Sequence, residues 1–384
     1  MSSLEPRFVG LDLHRHDVMV GAVNAKQDIV LPPRRIKLQH LARWTQRHLN
    51  PTDQVAVEAT TNTWALHDLL APHVDKITVA HPQKVRWIAS AKVKHDKKDA
   101  LVLARLLAAN LLPEVWVPPP EVRQLRSLIV HRQHLAKQRR SAKNRLRGVL
   151  FRLNLPSPKG ALSAPHNRDW WLAADLNPVE RLRVQHDLQT LDHLAQQLTE
   201  VHTTLAHLSV RPPWFQDVPF LLQMAGIGLV SAMTILSAIG PIVRFPSPKK
   251  LVGYAGLGAS VHASGQSFHS GGITKQGRRE LRTSLIQVAW AAVRYSSAWQ
   301  KRFEVLALHK GRQKAITIIA RKILVVIWHV LTKHTPDRDA DPVAVERAFL
   351  KWASTECLAT SLELSRTEFV QQALTRVGFH PATA

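Results

Sequence analysis

The first 115 residues alternate between short apolar runs and amphipathic stretches. Apolar runs at residues 8–13 and 18–23 flank a polar turn, which is typical of a β-hairpin. Further strands are predicted at 29–31, 54–59 and 77–80, and helices at 38–49, 64–70 and 100–109. Antiparallel strands followed by strand–helix units predict a mixed α/β sheet.

The middle of the chain has a helical pattern. The proline-rich segment 113–120 predicts a linker, because consecutive prolines cannot continue a helix. Residues 121–153 then read as one long helix, and a second helical region follows a break at 156–165. The second region predicts a coiled-coil arm, either an antiparallel hairpin or a dimerisation element, and hence a homodimer or a homotetramer. Its apolar residues recur at spacings of three and four: Leu191, Leu194, Leu198, Val201, Leu205 and Leu208.

The last third begins after Arg211-Pro212-Pro213. Gly226 and Gly228 form a small-residue turn before an apolar helix, a pattern that favours backbone contact with phosphate. A glycine-rich loop is predicted at 253–277, helices resume near residue 279, and a linker with a short helical extension follows residue 336. The predicted domains are therefore 1–115, 116–213, 214–335 and 336–384.

The charge balance points to a polyanionic partner. The 384 residues include 52 Lys or Arg and 28 Asp or Glu, a net charge of +24. Such an excess favours nucleic acid, because neutralising phosphates releases condensed counterions. A membrane partner is not expected, since no basic amphipathic helix lies beside an anchor. The single cysteine and the absence of a signal-like N-terminus predict the cell interior. His14 and His16 have no matching cysteine or histidine cluster, so no zinc site is expected.

The long helix is the most basic segment. Residues 121–155 contain ten Lys or Arg and one acid. Arg139, Arg140, Lys143 and Arg147 are therefore candidate phosphate contacts. The alternative, a solvated coiled-coil face, has equal weight from the pattern alone. The near absence of compensating acids favours contact with nucleic acid.

Four acids are candidate metal ligands. Asp12 lies within an apolar strand pattern, where an unpartnered carboxylate is costly, and Glu58 ends a similar run. Asp96 and Asp99 are three residues apart at a helix start, so they share a face. Carboxylate oxygens suit Mg²⁺ or Mn²⁺. Taken separately, Asp96 with Asp99 also fits a helix cap, and Glu58 an exposed loop acid. Together the four favour a metal site.

Several motifs resemble those of the DEDD-type insertion-sequence transposases, a family that includes bridge-RNA-guided recombinases and pilin-gene inverting recombinases. They occur in the order of the family and span almost the whole chain. The N-terminal ones are Val9-Gly10-Leu11-Asp12, Val57-Glu58-Ala59-Thr60 and Lys94-His95-Asp96-Lys97-Lys98-Asp99-Ala100. The C-terminal ones are Gly226-Ile227-Gly228, Arg244-Phe245-Pro246-Ser247, Tyr254-Ala255-Gly256-Leu257, Ser264-Gly265 and Gly272-Ile273-Thr274-Lys275-Gln276-Gly277.

The resemblance implies an α/β plus mostly α fold, with a RuvC-like (RNase H-type) N-terminal domain and a helical C-terminal transposase domain. It assigns Asp12, Glu58, Asp96 and Asp99 to a Mg²⁺-binding tetrad and Ser264 to the nucleophile. It also implies DNA substrates (element ends and target) and a noncoding bridge RNA as guide. Gly265 and Lys275 become further candidate nucleic-acid contacts. Thr61, Lys97 and Ala225 depart from the usual pattern without removing a catalytic group.

The residues alone leave the nucleophile open. A serine hydroxyl needs activation, and no acid or base adjoins Ser264. Ser260, Ser267 and Ser270 lie in the same predicted loop. Three functions are therefore compared: a serine recombinase, a Holliday-junction-type nuclease that uses water, and a non-catalytic nucleic-acid scaffold.

Overall fold

The computed structural model describes residues 5–88, 96–264 and 267–379. Contacts within the chain divide it into two compact units, Met1–Pro118 and Pro119–Ala384. The boundary lies within the predicted proline-rich linker. The further predicted boundaries at 213 and 335 stay predictions.

A five-stranded sheet organises the first unit. The strand order is β3-β2-β1-β4-β5. β1 pairs antiparallel with β2 and parallel with β4, β2 pairs antiparallel with β3, and β4 pairs parallel with β5. The predicted mixed sheet is thus confirmed. The strands are β1 (Phe8–Leu13), β2 (Asp17–Val23), β3 (Ile29–Lys37), β4 (Gln54–Glu58) and β5 (Lys76–Ala80).

Helices cover both faces of this sheet. The side chains of alternate β1 residues, Val9, Leu11 and Leu13, join a core with α1 and α2 on one face. The opposite face packs against α4, whose Leu103 and Leu107 form a second apolar cluster with β4 and β5. The helices are α1 (Leu38–His48), α2 (Thr63–Leu70), α3 (Pro82–Ile88) and α4 (Asp96–Ala108).

The third strand is longer than predicted. It was expected at residues 29–31, but β3 continues through Pro32 and Pro33 to Lys37. Prolines normally end a strand because they lack the N–H that a ladder requires. They are tolerated here because β3 is an edge strand of the sheet and most of its residues are exposed.

Helices dominate the second unit. Its one described sheet is the two-stranded β6–β7 hairpin. Helices before the hairpin are α5 (Pro120–Arg152), α6 (Arg168–Ala173), α7 (Pro178–Ser209), α8 (Val218–Leu222), α9 (Leu229–Ile239) and α10 (Pro248–Tyr254). The hairpin is β6 (Ala259–Ser264) and β7 (Ser267–Ile273). After it come α11 (Arg279–Tyr295), α12 (Ser297–Lys310), α13 (Arg312–Lys333), α14 (Pro342–Ser354), α15 (Leu358–Ser361) and α16 (Arg366–Val377).

The long basic helix α5 packs against α7 in an antiparallel hairpin. Arg132 donates to His202 at 3.1 Å, and Arg145 donates to Asp187 at 2.8 Å. Partner numbers fall along α7 as they rise along α5, so the helices run in opposite directions. The predicted heptad leucines are largely buried on this hairpin's inner side, within one chain. The apolar repeat is therefore no longer an argument for a dimer.

The predicted glycine-rich loop at 253–277 is mostly a β-hairpin. α10 ends at Tyr254, and β6 pairs antiparallel with β7 from Ala259–Ile273 to Ser264–Ser267. Glycines made this segment read as a loop because they weaken strand propensity. The segment forms a hairpin because its two strands pair with each other. A further bond joins them, since Ser260 Oγ donates to the Gly272 carbonyl at 3.0 Å.

Two late segments belong to the core of this unit. The first is α13, which buries nine residues, including Ile319, Ile323 and Ile327. α13 is long and apolar enough to cross a membrane, although half of its most apolar window is buried. The tail after residue 336, expected as a short extension, packs on this core through α14, where Trp352 Nε1 donates to Ser209 Oγ at 2.9 Å.

Candidate active site and nucleic-acid interface

Asp12 and Glu58 occupy equivalent positions on neighbouring parallel strands. Register pairs join Gly10 with Ala56 and Leu11 with Val57, and Asp12 and Glu58 are the next residues of β1 and β4. Residues in register on parallel strands face the same side, and such strands lie about 4.8 Å apart. The pairing therefore sets both carboxylates on one face, at the carboxyl ends of two adjacent strands.

Helix α4 covers this same face and begins beside Asp12. A Cβ on Gly10 would overlap the Ala100 carbonyl oxygen and lie 2.7 Å from the Ala104 nitrogen, so the helix backbone touches the strand there. Farther along α4, Leu106 and Leu107 join the cluster that includes Phe8, at the start of β1. The helix thus runs opposite to β1. Its first turn, with Asp96 and Asp99, lies toward the Asp12 end of the strand.

The side-chain geometry of the four acids is partly described. Asp12 Oδ2 lies 3.3 Å from His14 Nε2, and the Asp12 side chain is 23% exposed. Glu58 and Asp99 are half-buried, and the Asp96 side chain lies outside the described part. Among described residues, no three acidic, histidine or cysteine side chains are close enough to hold a metal ion. The backbone gathers the acids at one end of the sheet. The donor set, all hard carboxylate oxygens, suits Mg²⁺ or Mn²⁺.

His14 was missed as a member of this site. The sequence offered it only as half of a histidine pair without a zinc cluster. In a strand, residues two apart share a face. The Asp12-Leu13-His14 spacing was therefore the signal that would have placed the imidazole beside the carboxylate. A histidine there can orient Asp12 and balance part of its charge when protonated.

The turn after Glu58 is held by a threonine. Thr63 Oγ1 donates to the Glu58 carbonyl at 2.9 Å and accepts from the Thr60 N–H at 2.7 Å. These bonds fix the backbone immediately after the acid. Thr61, where the family commonly has glycine, adjoins this turn without interrupting it.

Ser264 is the last residue of β6, at the tip of the hairpin in the second unit, paired with Ser267 of β7. Its side chain and the whole of Gly265 lie outside the described part. Among the alternative serines, Ser260 has its hydroxyl bonded to the Gly272 carbonyl at 3.0 Å, a structural contact. Ser264 therefore lies at the tip of the hairpin, and Ser260 lies near its base.

The predicted glycine contacts have different local roles. Gly226 has a φ of +84°, and a Cβ there would lie 2.6 Å from both the Val288 carbonyl and the Ala292 nitrogen. Its lack of a side chain is therefore explained by close packing on α11. Gly228 caps α9, and nothing lies near its missing Cβ, so this backbone is open. Lys275 is exposed, and its N–H donates to the Gly256 carbonyl at 3.2 Å.

The basic face of α5 is solvent-exposed. Arg139, Arg140 and Arg147 are exposed and Lys143 is half-buried. Arg140 lines a polar groove of about 540 Å³ between α5, α9 and the start of α11. The groove is also lined by Arg132, Lys137 and Arg279. These three cations were not predicted from the sequence, because the groove forms only when the three helices pack.

We expect the exposed Arg139 and Arg140 of α5 to contribute more to nucleic-acid binding than the arginines of this helix that form ion pairs with α7. Arg139→Gln with Arg140→Gln should lower the slope of log affinity against log salt by about two, since each phosphate contact contributes about 0.9. Arg145 and Arg152 are engaged by Asp187 and Glu180 on the same hairpin. The matched control, Arg145→Gln with Arg152→Gln, should leave the slope nearly unchanged. Filter binding over a salt series measures the slope for each double variant. Equal slopes would mean that the exposed face of α5 does not contact nucleic acid.

Comparison with known proteins identifies both parts of the chain. Residues 9–154 match a DEDD transposase family model of the IS110 type, described as "Transposase". Residues 218–304 match the "Transposase IS116/IS110/IS902 family". The chain is an IS110/IS116-family DEDD transposase. The matched DEDD transposase domain is of the RuvC-like fold family, and the five-stranded sheet lies within the matched segment. This type of domain suggests dependence on a divalent metal ion.

Curated relatives agree with this assignment. The "Pilin gene-inverting protein" of Moraxella bovis is 28% identical over 343 residues, 86% of this chain and 97% of that protein. The "Putative transposase y4qE" of Sinorhizobium fredii is 30% identical over 236 residues, 61% of this chain and 57% of that protein. The "Transposase for insertion sequence element IS1111A" of Coxiella burnetii is 26% identical over 262 residues, 66% of this chain and 70% of that protein. The chain is thus a DNA transposase or recombinase enzyme of an insertion sequence.

Proposed function

We propose that this transposase cuts and rejoins DNA through the Ser264 hydroxyl, assisted by Asp12, Glu58, Asp96 and Asp99. The observation that carries the proposal is the register of β1 and β4. It sets Asp12 and Glu58 side by side, with the first turn of α4 at the same end of the sheet. Carboxylates on adjacent strand ends are costly to bring together unless a cation neutralises them.

The four acids would hold Mg²⁺ or Mn²⁺, which when bound stabilises charge on the attacking and leaving oxygens of a phosphodiester. His14, the residue after β1, would help to orient the Asp12 carboxylate, since its Nε2 lies 3.3 Å from Asp12 Oδ2. The Thr63 hydroxyl holds the backbone after Glu58, so that this carboxylate keeps its position. Ser264, the last residue of β6, would supply the attacking oxygen. As this oxygen forms its bond to phosphorus and the serine proton is lost, the bond from phosphorus to the leaving oxygen of the DNA strand breaks, and that oxygen takes up a proton.

Ser264→Ala should abolish the covalent protein–DNA adduct and strand exchange, because alanine has no oxygen with which to attack. Ser260→Ala is the matched control. Its hydroxyl is bonded to the Gly272 carbonyl, so we expect adduct formation to persist. A suicide substrate carrying a nick near the cleavage point, followed by denaturing electrophoresis, measures the adduct. Full strand exchange by Ser264→Ala would exclude this nucleophile.

A metal-dependent nuclease that uses water as nucleophile is the second candidate. Its support is that the four acids all lie in the first unit and within the segment that matches the DEDD transposase family model. In that case Ser264 is structural. Cleavage without any adduct, retained in Ser264→Ala and lost in Asp12→Asn, would favour the nuclease over the recombinase.

The proposal includes DNA element ends and target as substrates, and a noncoding bridge RNA as the guide that selects them. The net charge of +24 and the exposed basic face of α5 support polynucleotide partners. A homodimer or homotetramer would let acids and serine come from different copies. Mixing a Ser264→Ala chain with an Asp12→Asn chain tests this, since restored strand exchange requires the site to be shared between chains.

A further inference from the structure

The groove of about 540 Å³ between α5, α9 and α11 is lined by two polar stripes. The stripe on α5 consists of residues spaced by four and three, so they share one face of that helix. Its members are Gln133, Lys137 and Arg140. The stripe on α11 has a spacing of four, and its members are Arg279, Thr283 and Gln287. Neighbouring helices normally turn apolar stripes toward each other, so polar stripes along a shared groove point to a polar ligand.

The charge of this groove is positive. Four of its lining residues are lysine or arginine, and one, Glu280, is an acid. Glu280 lies in the first turn of α11, where the helix dipole favours a negative charge. Lys137, Arg140 and Arg279 are exposed, and among the described residues no acid forms an ion pair with any of these three. The groove therefore favours an anion.

Ser284 gives an independent indication that the groove binds a polar molecule. It lines the groove and is only 7% exposed. Within the described part of the chain, its hydroxyl forms no hydrogen bond. A buried hydroxyl without a partner is unfavourable, so a ligand that offers it a donor or an acceptor would gain affinity. Thr283 and Gln287, exposed beside it on α11, add further donors and acceptors.

Two residues of α5 offer flat groups on which a ring can stack. Arg132 is half-buried and lines the groove, and its Nε donates to His202 Nε2 at 3.1 Å. This bond restrains the guanidinium. His134, which is exposed, also lines the groove. Arginine and histidine both stack on unpaired bases in nucleic-acid complexes. The groove thus combines cations for phosphates, polar groups for base edges and planar groups for base faces.

We infer that this groove binds a short unpaired segment of a polynucleotide strand. Its volume of about 540 Å³ is in the range that encloses a small molecule, roughly 300–1,000 Å³. In a duplex the bases are paired and stacked, so a base reaches such a groove only where the strand is unpaired. The inference rests on the proposed function for the polynucleotide partner. It adds that the strand is single at this place and that the groove contacts its bases.

Salt-dependent binding to a single strand and to a duplex of the same sequence tests this inference. Lys137→Gln with Arg279→Gln should lower the slope of log affinity against log salt by roughly 1.4 for the single strand, since each phosphate contact contributes about 0.7. The duplex slope should not change. Arg294→Gln with Lys301→Gln, which removes two exposed cations outside the groove, should leave both slopes unchanged. DNA and RNA single strands are measured separately, and the larger effect identifies which of them the groove binds.

Gln287→Ala tests the contact with bases. It should lower the affinity for the single strand about three- to tenfold without changing the salt slope, because it removes hydrogen bonds and no charge. Gln300→Ala, at an exposed glutamine outside the groove, should have no effect. Since the substituted residues are exposed, thermal melting by circular dichroism should show that every variant folds as the wild type does.

Three results would overturn the inference. One is an unchanged single-strand slope in the Lys137 and Arg279 double variant, and another is an equal loss of slope for the duplex. The third is displacement of the single strand by polyglutamate at equal charge concentration, which would show that the groove responds to charge alone. None of these results bears on the catalytic proposal, which depends on the Asp12 and Ser264 variants.

Discussion

Asp12→Asn is expected to lower the rate of DNA strand cleavage about a thousand-fold, the equivalent of roughly 4 kcal/mol in the activation barrier. The amide keeps the shape of the side chain but removes the negative charge that a divalent cation requires. Asp12 directly follows Leu11, which pairs with Val57 of the strand that carries Glu58, and its Oδ2 lies 3.3 Å from His14 Nε2. Single-turnover cleavage in Mg²⁺ measures the rate.

Asp75→Asn is the control for this substitution. Asp75 is an exposed acid of the same unit, just before β5, so the same change of charge should leave cleavage within about twofold of wild type. DNA binding should persist in both variants, because the phosphate contacts are assigned to the second unit. If Asp12→Asn bound DNA normally and retained cleavage within tenfold of wild type, the acids would not be the metal site.

Gly10→Ala is expected to destabilise the protein by about 3 kcal/mol. The added Cβ meets backbone atoms of α4, the Ala100 carbonyl oxygen and the Ala104 nitrogen, rather than the end of a flexible side chain. The helix can make room only by moving away from the sheet as a whole. That movement would also displace Asp99, so cleavage should fall together with the melting temperature measured by circular dichroism.

Gly21→Ala supplies a matched comparison, because Gly21 is the direct partner of Gly10 on β2. A Cβ there meets Leu101 Cδ2 at 3.0 Å, a side-chain end that can rotate away. We expect a loss below about 1 kcal/mol and nearly full activity. Equal losses for the two variants would mean that the contact between β1 and α4 does not hold the helix in place.

The local pattern was sufficient for the elements of the first unit. Apolar runs interrupted by polar turns place β1, β2, β4 and β5 correctly, since strand formation there depends on alternating burial. The pattern failed at β3, whose prolines are acceptable only on an edge strand, and at the β6–β7 hairpin, whose glycines pair across strands. Whether a strand lies at the edge of a sheet, and which strand it pairs with, are properties of the assembled sheet. A short stretch of sequence therefore does not reveal them.

The sequence by itself supplied the four candidate acids, the candidate serine, the resemblance to the transposase family and the basic character of α5, because residue types and their order are sufficient for motifs and charge. Only the tertiary structure decided which groups lie together. Parallel pairing of β1 with β4 aligns Asp12 with Glu58, and packing of α4 on Gly10 brings Asp99 toward the same end. Helix packing likewise buries most of the heptad residues within one chain and brings Arg126 and Arg244, far apart in sequence, to the carbonyls at the end of α9. Such contacts form between segments that are distant along the chain, so the spacing of residues in the sequence does not predict them.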